Sequence, residues 1–349
     1  MFRLTATAIP AAFLLAPLTV MPAAAQCVQA GPTIACTGTE TNEIDADIDG
    51  LTVLVPLGAT VDIADDDAIR LRGDDNTLIV DGTVQTFGNG DEAVQADGEN
   101  FTLTNTGAIF SDDDKGVQAE EFGTTITNSG SIAAATEGVE AGNGVTILNL
   151  TGGSISAGED AVQFGGGTLF NAPGATITGG DTGAEGDGLD IDFGTVVNMG
   201  TIEALGPDSA AIDVDEVDID DNPITAVLTI TNTGTLSGAT GILVEPDLNG
   251  GPNESRQIVT NSGTISAFDG AAMSLAAGDD FVSLENGSSI TGSILLGAGN
   301  DFLGLSRAVS VSAGSILDGG DGAMDVLGFG NAILPTDVSF TALGGSAFD

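Results

Sequence analysis

The chain has 349 residues, with 51 acidic residues against 6 basic ones and a formal net charge of −45. It contains no His, no Trp and no Tyr, but 52 Gly. The missing His excludes Ser-His-Asp and Cys-His catalysis and His-based metal sites. The scarcity of Lys and Arg disfavours a nucleic acid or an anionic membrane as a partner.

Residues 1–25 predict a secretory signal peptide. Arg3 supplies a basic start, residues 4–20 are largely apolar, and Ala23 to Ala25 are typical of a cleavage site. Pro10 and Pro17 interrupt the apolar stretch, which disfavours a membrane anchor. We therefore expect the mature chain to be exported by the Sec pathway.

The two cysteines of the chain, Cys27 and Cys36, directly follow this segment. In an oxidising compartment two close cysteines favour a disulfide, and a metal site would need further ligands beside them. We expect residues 26–60 to form an N-terminal cap that contains this disulfide.

A short alternating pattern recurs along the rest of the chain. It reads AVQA at Ala93–Ala96, GVQA at Gly116–Ala119 and AIDV at Ala211–Val214, with apolar residues at its second and fourth positions. Alternation with a period of two indicates a β-strand that buries one face. The third positions are mostly hydrophilic, so we expect them to face solvent.

A second pattern follows most copies, and it is clearest as FTLTNTGAI at Phe101–Ile109 and TTITNSGSI at Thr124–Ile132. We interpret it as a strand, an Asn-Gly turn and a short strand, with Gly supplying positive φ at the turn. Stacked copies would align their Asn side chains in a hydrogen-bonded ladder. The predicted ladder comprises Asn105, Asn128, Asn149, Asn171, Asn198, Asn232, Asn261 and Asn286, with Asp81 at its start.

The usual period of about 22–24 residues is too short for a βαβ unit. We predict an all-β chain in which residues 61–290 form a right-handed parallel β-helix (β-solenoid), one coil per repeat. A β-sandwich or barrel is the alternative.

Three insertions, Asp181–Gly188, Val217–Ile224 and Pro246–Ser255, are expected to project from one turn position.

Residues 291–349 are predicted to form Gly/Asp-rich coils. The segments Ala276–Leu284, Leu296–Leu305 and Asp318–Phe329 resemble the Gly/Asp-rich repeats of RTX proteins. That resemblance implies that carboxylates and backbone carbonyls at the turns bind Ca²⁺. The ligands it points to, in order of preference, are Asp301, Asn300, Asp321, Asp325, Asp279 and Asp280. Plain Asp/Gly turns without an ion are the alternative.

A further acidic run, DVDEVDIDD at Asp213–Asp221, alternates carboxylates with Val and Ile. We interpret it as a strand with a solvated acidic face.

Nearly the whole mature chain resembles the passenger regions of Gram-negative autotransporters. The similarity lies in the TNSG–Ile cadence, the early Cys pair and the closing Gly/Asp-rich copies. It implies a β-helical stalk at the bacterial surface that serves adhesion or biofilm formation, with an unidentified polysaccharide or protein partner. That family ends in an outer-membrane barrel, so we expect a barrel beyond Asp349 if this chain is a fragment.

A carbohydrate-active enzyme, a polysaccharide lyase or hydrolase, is the alternative function, because secreted parallel β-helices include both. The basic residues are few and scattered, and no pair of carboxylates stands out among the many. We therefore expect a secreted or cell-surface structural protein that is not an enzyme, and a calcium-binding secreted repeat protein is the third hypothesis. Carboxylates stacked at one corner repel each other, so we expect bound cations or salt to stabilise the fold.

Overall fold

The computed structural model describes residues 27–88, 90–180, 186–215, 226–246, 251–322, 324–330 and 339–340. The predicted signal peptide therefore lies outside the described residues. Within them the chain is all-β, with 55% of residues in strands and no helix. Strand β1 (Val28–Ala30) pairs antiparallel with β2 (Thr33–Ala35), and every other strand pairing in the described part is parallel.

The parallel strands stack as a β-solenoid of about 11 turns, so the predicted parallel β-helix is confirmed at that level. Each coil contributes strands to three faces. Face one contains β2, β5 (Thr52–Val55), β8 (Thr77–Val80), β11 (Thr102–Asn105), β14 (Thr125–Asn128), β17 (Val145–Asn149), the second halves of β19 (Val162–Asn171) and β21 (Leu189–Asn198), β24 (Val227–Asn232), β27 (Arg256–Asn261), β29 (Phe281–Leu284), β31 (Phe302–Leu305) and β34 (Val326–Phe329).

Face two follows face one in every coil. It contains β3 (Thr39–Glu40), β6 (Thr60–Ala64), β9 (Thr83–Phe87), β12 (Ala108–Ser111), β15 (Ser131–Ala133), β18 (Ser154–Ser156), β20 (Thr176–Gly179), β22 (Thr201–Ala204), β25 (Thr235–Gly238), the first parts of β28 (Thr264–Ser274) and β30 (Ser289–Leu295), and β32 (Ser310–Val311).

Face three closes the coil. It contains β4 (Ile44–Ala46), β7 (Ile69–Leu71), β10 (Val94–Ala96), β13 (Val117–Ala119), β16 (Val139–Ala141), the first halves of β19 and β21, β23 (Ala210–Val214), β26 (Thr240–Val244), the second parts of β28 and β30, β33 (Ile316–Asp318) and β35 (Ser339–Phe340).

Alternation along each strand places one set of side chains inside the coil. In β11 and β14 the buried and half-buried positions alternate, and Leu103 stacks directly on Ile126. The inward aliphatic side chains of all three faces form one continuous core cluster. Burying a Val, Leu or Ile side chain contributes about 1.5–3 kcal/mol, so the repetition of these columns holds neighbouring coils together.

Coil stacking begins earlier than the predicted cap boundary near residue 60. Strands β2, β3 and β4 already pair in parallel register with β5, β6 and β7. Within residues 27–60, the irregular element is β1, which folds back on β2 and carries the disulfide between Cys27 and Cys36, whose Cα atoms are 3.9 Å apart.

A ladder of asparagines runs through the interior at the end of the face-one strands. Asn105, Asn128, Asn149, Asn171, Asn198, Asn232 and Asn261 are all fully buried. Each Nδ2 donates to the Oδ1 of the next Asn at 2.7–2.9 Å. From Asn105 to Asn232, Nδ2 also donates to a backbone carbonyl of the following coil. These polar groups are therefore paired inside an otherwise apolar core, as burial requires.

The structure does not place Asn286 or Asp81 in this ladder. Leu284 pairs with Asn261, and Asn286 lies in the exposed turn that follows β29. At the other end Val80 pairs with Asn105, while Asp81 accepts a hydrogen bond from the Thr106 hydroxyl outside the core. The register of the strand decides which residue points inward, and here that residue is Leu284. Asn286 and Gly287 belong to the longer turn that follows.

Two kinds of turn connect faces one and two. Short turns have two residues between the strands, as at Ser129-Gly130, and longer ones have four, as at residues 150–153. In the longer turns the third residue has positive φ: +85° at Gly58, +86° at Gly152, +77° at Gly174, +98° at Gly287 and +63° at Ala308.

The short turns need glycine for a reason that the sequence does not indicate. Gly130 is absent from the positive-φ residues, so the predicted role for its backbone is wrong. A Cβ there would instead clash with the Gly107 carbonyl oxygen of the preceding coil, and a Cβ at Gly107 would clash with that of Gly82. Close stacking of coils, and not a left-handed backbone, selects Gly at these turns.

The three insertions do not leave the coil from one turn position. Asp181–Gly188 lies between a face-two strand and face three, whereas the other two follow β23 and β26 on face three. Residues 181–185, 216–225 and 247–250 lie outside the described part of the chain.

Candidate cation site

The six predicted calcium ligands separate into an inner and an outer set. Asp280, Asp301 and Asp325 are 2%, 1% and 1% exposed and immediately precede β29, β31 and β34. Asp279, Asn300 and Asp321 are exposed on the outside of the same corner. The structure stacks the inner three in one column because β29, β31 and β34 pair in register.

Each inner carboxylate bonds the backbone of the coil before it. Asp280 Oδ1 accepts from the Gln257 N–H at 2.7 Å, and Asp301 Oδ1 accepts from the Asp280 N–H at 2.8 Å. Asp325 Oδ1 accepts from the Asp301 N–H at 3.1 Å. One oxygen of every carboxylate is thus used to join successive coils.

The second oxygen of each inner carboxylate has no hydrogen-bond partner among the described residues. This is true of the Oδ2 atoms of Asp280, Asp301 and Asp325, and all three are buried. The Oε1 atom of Gln257, one coil earlier in the same column, is also buried without a partner. We call these four residues the inner acid column. A buried acceptor without a donor costs about 1–3 kcal/mol. Protonation of the column or binding of a cation would remove this cost.

Burial also changes the pKa values of two carboxyls in the column, Asp280 and Asp301. Burial raises the pKa of Asp280 to about 8, with a smaller contribution from the Asp301 carboxylate. Burial likewise raises the pKa of Asp301 to about 7, and the Asp325 carboxylate adds to that effect. The backbone hydrogen bonds oppose these shifts without cancelling them.

The inner acid column fits a hard cation by its donor chemistry. Stacked strands are about 4.8 Å apart, and Ca²⁺ binds oxygen at about 2.3–2.6 Å. An ion between oxygens of adjacent coils therefore meets both at an ordinary distance. Adjacent coils approach closely at this corner, since a Cβ at Gly299 would clash with the Gly278 carbonyl oxygen.

The outer set is less suited to a common ion. Asp279 Oδ1 accepts two hydrogen bonds from Asn300, through its backbone N–H at 2.9 Å and its Nδ2 at 3.1 Å. These bonds lower the pKa of Asp279. Asp321 lies over Ala298, not over Asn300, and so belongs to a different column.

Sequence reasoning missed two features of the acidic residues. Gln257 was not selected, although a Gln is an unusual residue at an inward position of a ladder strand, here β27. Asp213 was expected on a solvated face, but only 7% of it is exposed, as is also true of Asp190 in the neighbouring coil. Alternation predicts whether a strand residue points into or out of the coil, but it does not predict how far neighbouring residues bury an outward side chain.

Comparison with protein-family models, with curated proteins and with solved structures gives no match. In the part of the chain that the structure describes, no helix is long and apolar enough to cross a membrane. Function must therefore be argued from the residues and their geometry.

Proposed function

We propose that this protein is a secreted or cell-surface structural protein, a β-solenoid rod with an adhesin-like role and no catalytic activity. The observation that carries the proposal is the ladder of seven Asn residues inside a continuous aliphatic core. This interior joins coil to coil and so favours a long, regular scaffold whose outer faces are free to meet a partner.

The chemistry of the N-terminus supports an extracytoplasmic location. The Cys27–Cys36 disulfide closes the hairpin of β1 and β2, and disulfides persist chiefly in oxidising compartments. Together with the signal-like residues 1–25, this supports transit through the periplasm to the surface of a Gram-negative cell, as in autotransporter passengers. The finer assignment to that family remains part of the proposal.

Two experiments test the structural role. The full chain is incubated with a panel of neutral and acidic polysaccharides, and reducing ends and unsaturated products are measured; we expect neither above background. Robust turnover of any polymer would overturn the proposal in favour of a lyase or hydrolase. Surface labelling of intact cells that express the chain should detect it outside, and purely cytoplasmic protein would contradict the location.

Calcium-dependent stability is a second candidate property, favoured by the buried oxygens of the inner acid column. Millimolar CaCl₂ should raise the melting temperature of the full chain relative to the same protein in EDTA. The variant Asp301→Asn should lose most of this increase, because the amide removes the charge from the middle of the column. Equal melting temperatures with CaCl₂ and with EDTA would contradict calcium binding there.

A further inference from the structure

A second group of carboxylates lies on the outside of face three, away from the inner acid column. One oxygen each of Asp213, Asp215 and Glu245 lies within 4.8 Å of the others. Asp213 is in β23, Asp215 directly follows that strand, and Glu245 directly follows β26. Parallel pairing of β23 with β26 brings them together, with the Glu245 N–H donating to the Val214 carbonyl at 2.9 Å. We call these three residues the face-three triad.

The triad contains a buried acceptor that lacks a donor. Asp213 is only 7% exposed, and its Oδ1 has no hydrogen-bond partner among the described residues. A buried carboxylate oxygen without a donor is costly unless a proton or a cation meets it. Asp213 is itself a member of the triad, so this oxygen points to a ligand independently of the acidic composition.

The surroundings of the triad are anionic. Burial, together with the nearby carboxylates of Asp187 and Glu245, raises the pKa of Asp213 to about 10. Asp190 pairs with Asp213 in register, and Asp190 Oδ2 accepts from Gln163 Nε2 at 2.8 Å. No Lys or Arg occurs between Lys115 and Arg256 in the sequence. The 140 residues of this stretch thus supply no basic side chain of their own.

We propose that the face-three triad binds one hard divalent cation of about the size of Ca²⁺. Oxygens bound to one Ca²⁺ ion lie at most about 4.6–5.2 Å apart, twice the Ca–O distance, so three oxygens within 4.8 Å of one another are close enough to share one ion. Three carboxylates with water at the remaining positions form a ligand set that Ca²⁺ accepts. Asp190, which pairs in register with Asp213, lies beside the site in the neighbouring coil.

The site has a structural consequence for the chain. Asp215 is the last described residue before residues 216–225, and Glu245 precedes the insertion Pro246–Ser255. A cation held by both side chains links the points at which the two insertions leave face three. Bound calcium therefore stabilises the part of face three where these two insertions interrupt the repeat.

Isothermal titration of the purified full chain with CaCl₂ tests the proposal. We expect Asp213→Asn to weaken one class of sites at least tenfold. The control Glu203→Gln, an outward residue of β22 in the same coil but on face two, should bind like the wild type. The double variant Asp280→Asn/Asp301→Asn removes charge from the inner acid column and should retain the class that depends on Asp213.

Two results would overturn the inference: a wild-type chain that binds no calcium, or an Asp213→Asn chain with an unchanged isotherm. If Asp213→Asn does not fold, as judged by far-UV circular dichroism, Glu245→Gln replaces it, because Glu245 lies nearer to solvent. That variant should show the same tenfold loss, and wild-type binding by a folded Glu245→Gln chain would equally contradict the site. An unchanged isotherm for Asp213→Asn leaves calcium binding by the inner acid column standing, since the double variant reports on that column separately, whereas a wild-type chain that binds no calcium contradicts both sites.

Discussion

At the scale of single residues, the Asn ladder makes a direct prediction about stability. Asn149 is fully buried, accepts from Asn128 and donates to Asn171 Oδ1 and to the Thr176 carbonyl. Asn149→Ala removes an interior member of the ladder and leaves buried polar groups of both neighbours with fewer partners. We expect a loss of about 2–4 kcal/mol in the free energy of unfolding. Urea unfolding followed by far-UV circular dichroism measures it, because Trp and Tyr are absent.

Asn286→Ala is the matched control, because this Asn belongs to the same series of Asn residues in the sequence but lies in an exposed turn. Its effect should stay within about 0.5 kcal/mol, as for most surface substitutions. Equal losses for the two variants would show that the ladder contributes nothing beyond the Asn-Gly turn itself.

At the scale of the element, the two turn classes respond differently to substitution. In the short turn of Gly130 an added Cβ clashes with backbone of the preceding coil, which cannot move without separating the strands. In the long turn of Gly152 nothing lies within 4 Å of an added Cβ, although φ is +86°. We expect Gly130→Ala to cost at least about 2 kcal/mol and Gly152→Ala about 1 kcal/mol. Urea midpoints compare them, and the reverse order would contradict the close-approach argument.

The same turn class predicts a stabilising change. Ala308 occupies the third position of a long turn with φ +63°, where four other long turns have Gly. A left-handed backbone costs an L-residue about 1–2 kcal/mol, and Gly avoids this at some expense in unfolded-state entropy. We expect Ala308→Gly to stabilise the chain by about 0.5 kcal/mol, and a lower urea midpoint than the wild type would refute this.

The elements also show how far sequence reasoning reaches. Alternation and the Asn repeat correctly predict parallel stacked coils and the ladder from Asn105 to Asn261. A ladder requires the same residue type at the same position of successive repeats, and this is visible in the sequence. The pattern misplaces Asn286 because Leu284 takes the register position opposite Asn261, and Asn286 follows two residues later in the exposed turn. The partnerless oxygens of Gln257 and Asp213 depend on neighbours from other coils, and no local pattern encodes those neighbours.

At the scale of the whole molecule, the absence of His means that buried carboxyls with raised pKa values are the side chains that titrate near neutral pH. Ordinary Asp and Glu are ionised above pH 6, and a chain without His has no side chain of normal pKa that titrates between pH 6 and 9 except a free thiol. Both cysteines are in the disulfide. Stability changes in this window therefore report on buried carboxyls such as Asp280 and Asp301, whose pKa values are about 8 and 7.

The sign follows from proton linkage. A carboxyl with a raised folded-state pKa keeps its proton in the folded chain while the unfolded chain has lost it, so stability falls as pH rises from about 4 towards the folded-state pKa. In EDTA we expect the melting temperature to fall by several degrees between pH 6 and pH 9. Millimolar CaCl₂ should reduce this fall, because the ion replaces the protons in neutralising the buried oxygens.

The double variant Asp280→Asn/Asp301→Asn shows whether the inner acid column causes this dependence. Its amides carry no charge at any pH in the window, so the fall in EDTA should become shallower. It should not vanish, because Asp190 and Asp213 on face three also have raised pKa values, about 8 and 10. Combining the double variant with Asp213→Asn should flatten the profile further. A wild-type melting temperature that is constant from pH 6 to pH 9 in EDTA would contradict the assignment, because a buried carboxyl cannot lose its proton at no cost in stability.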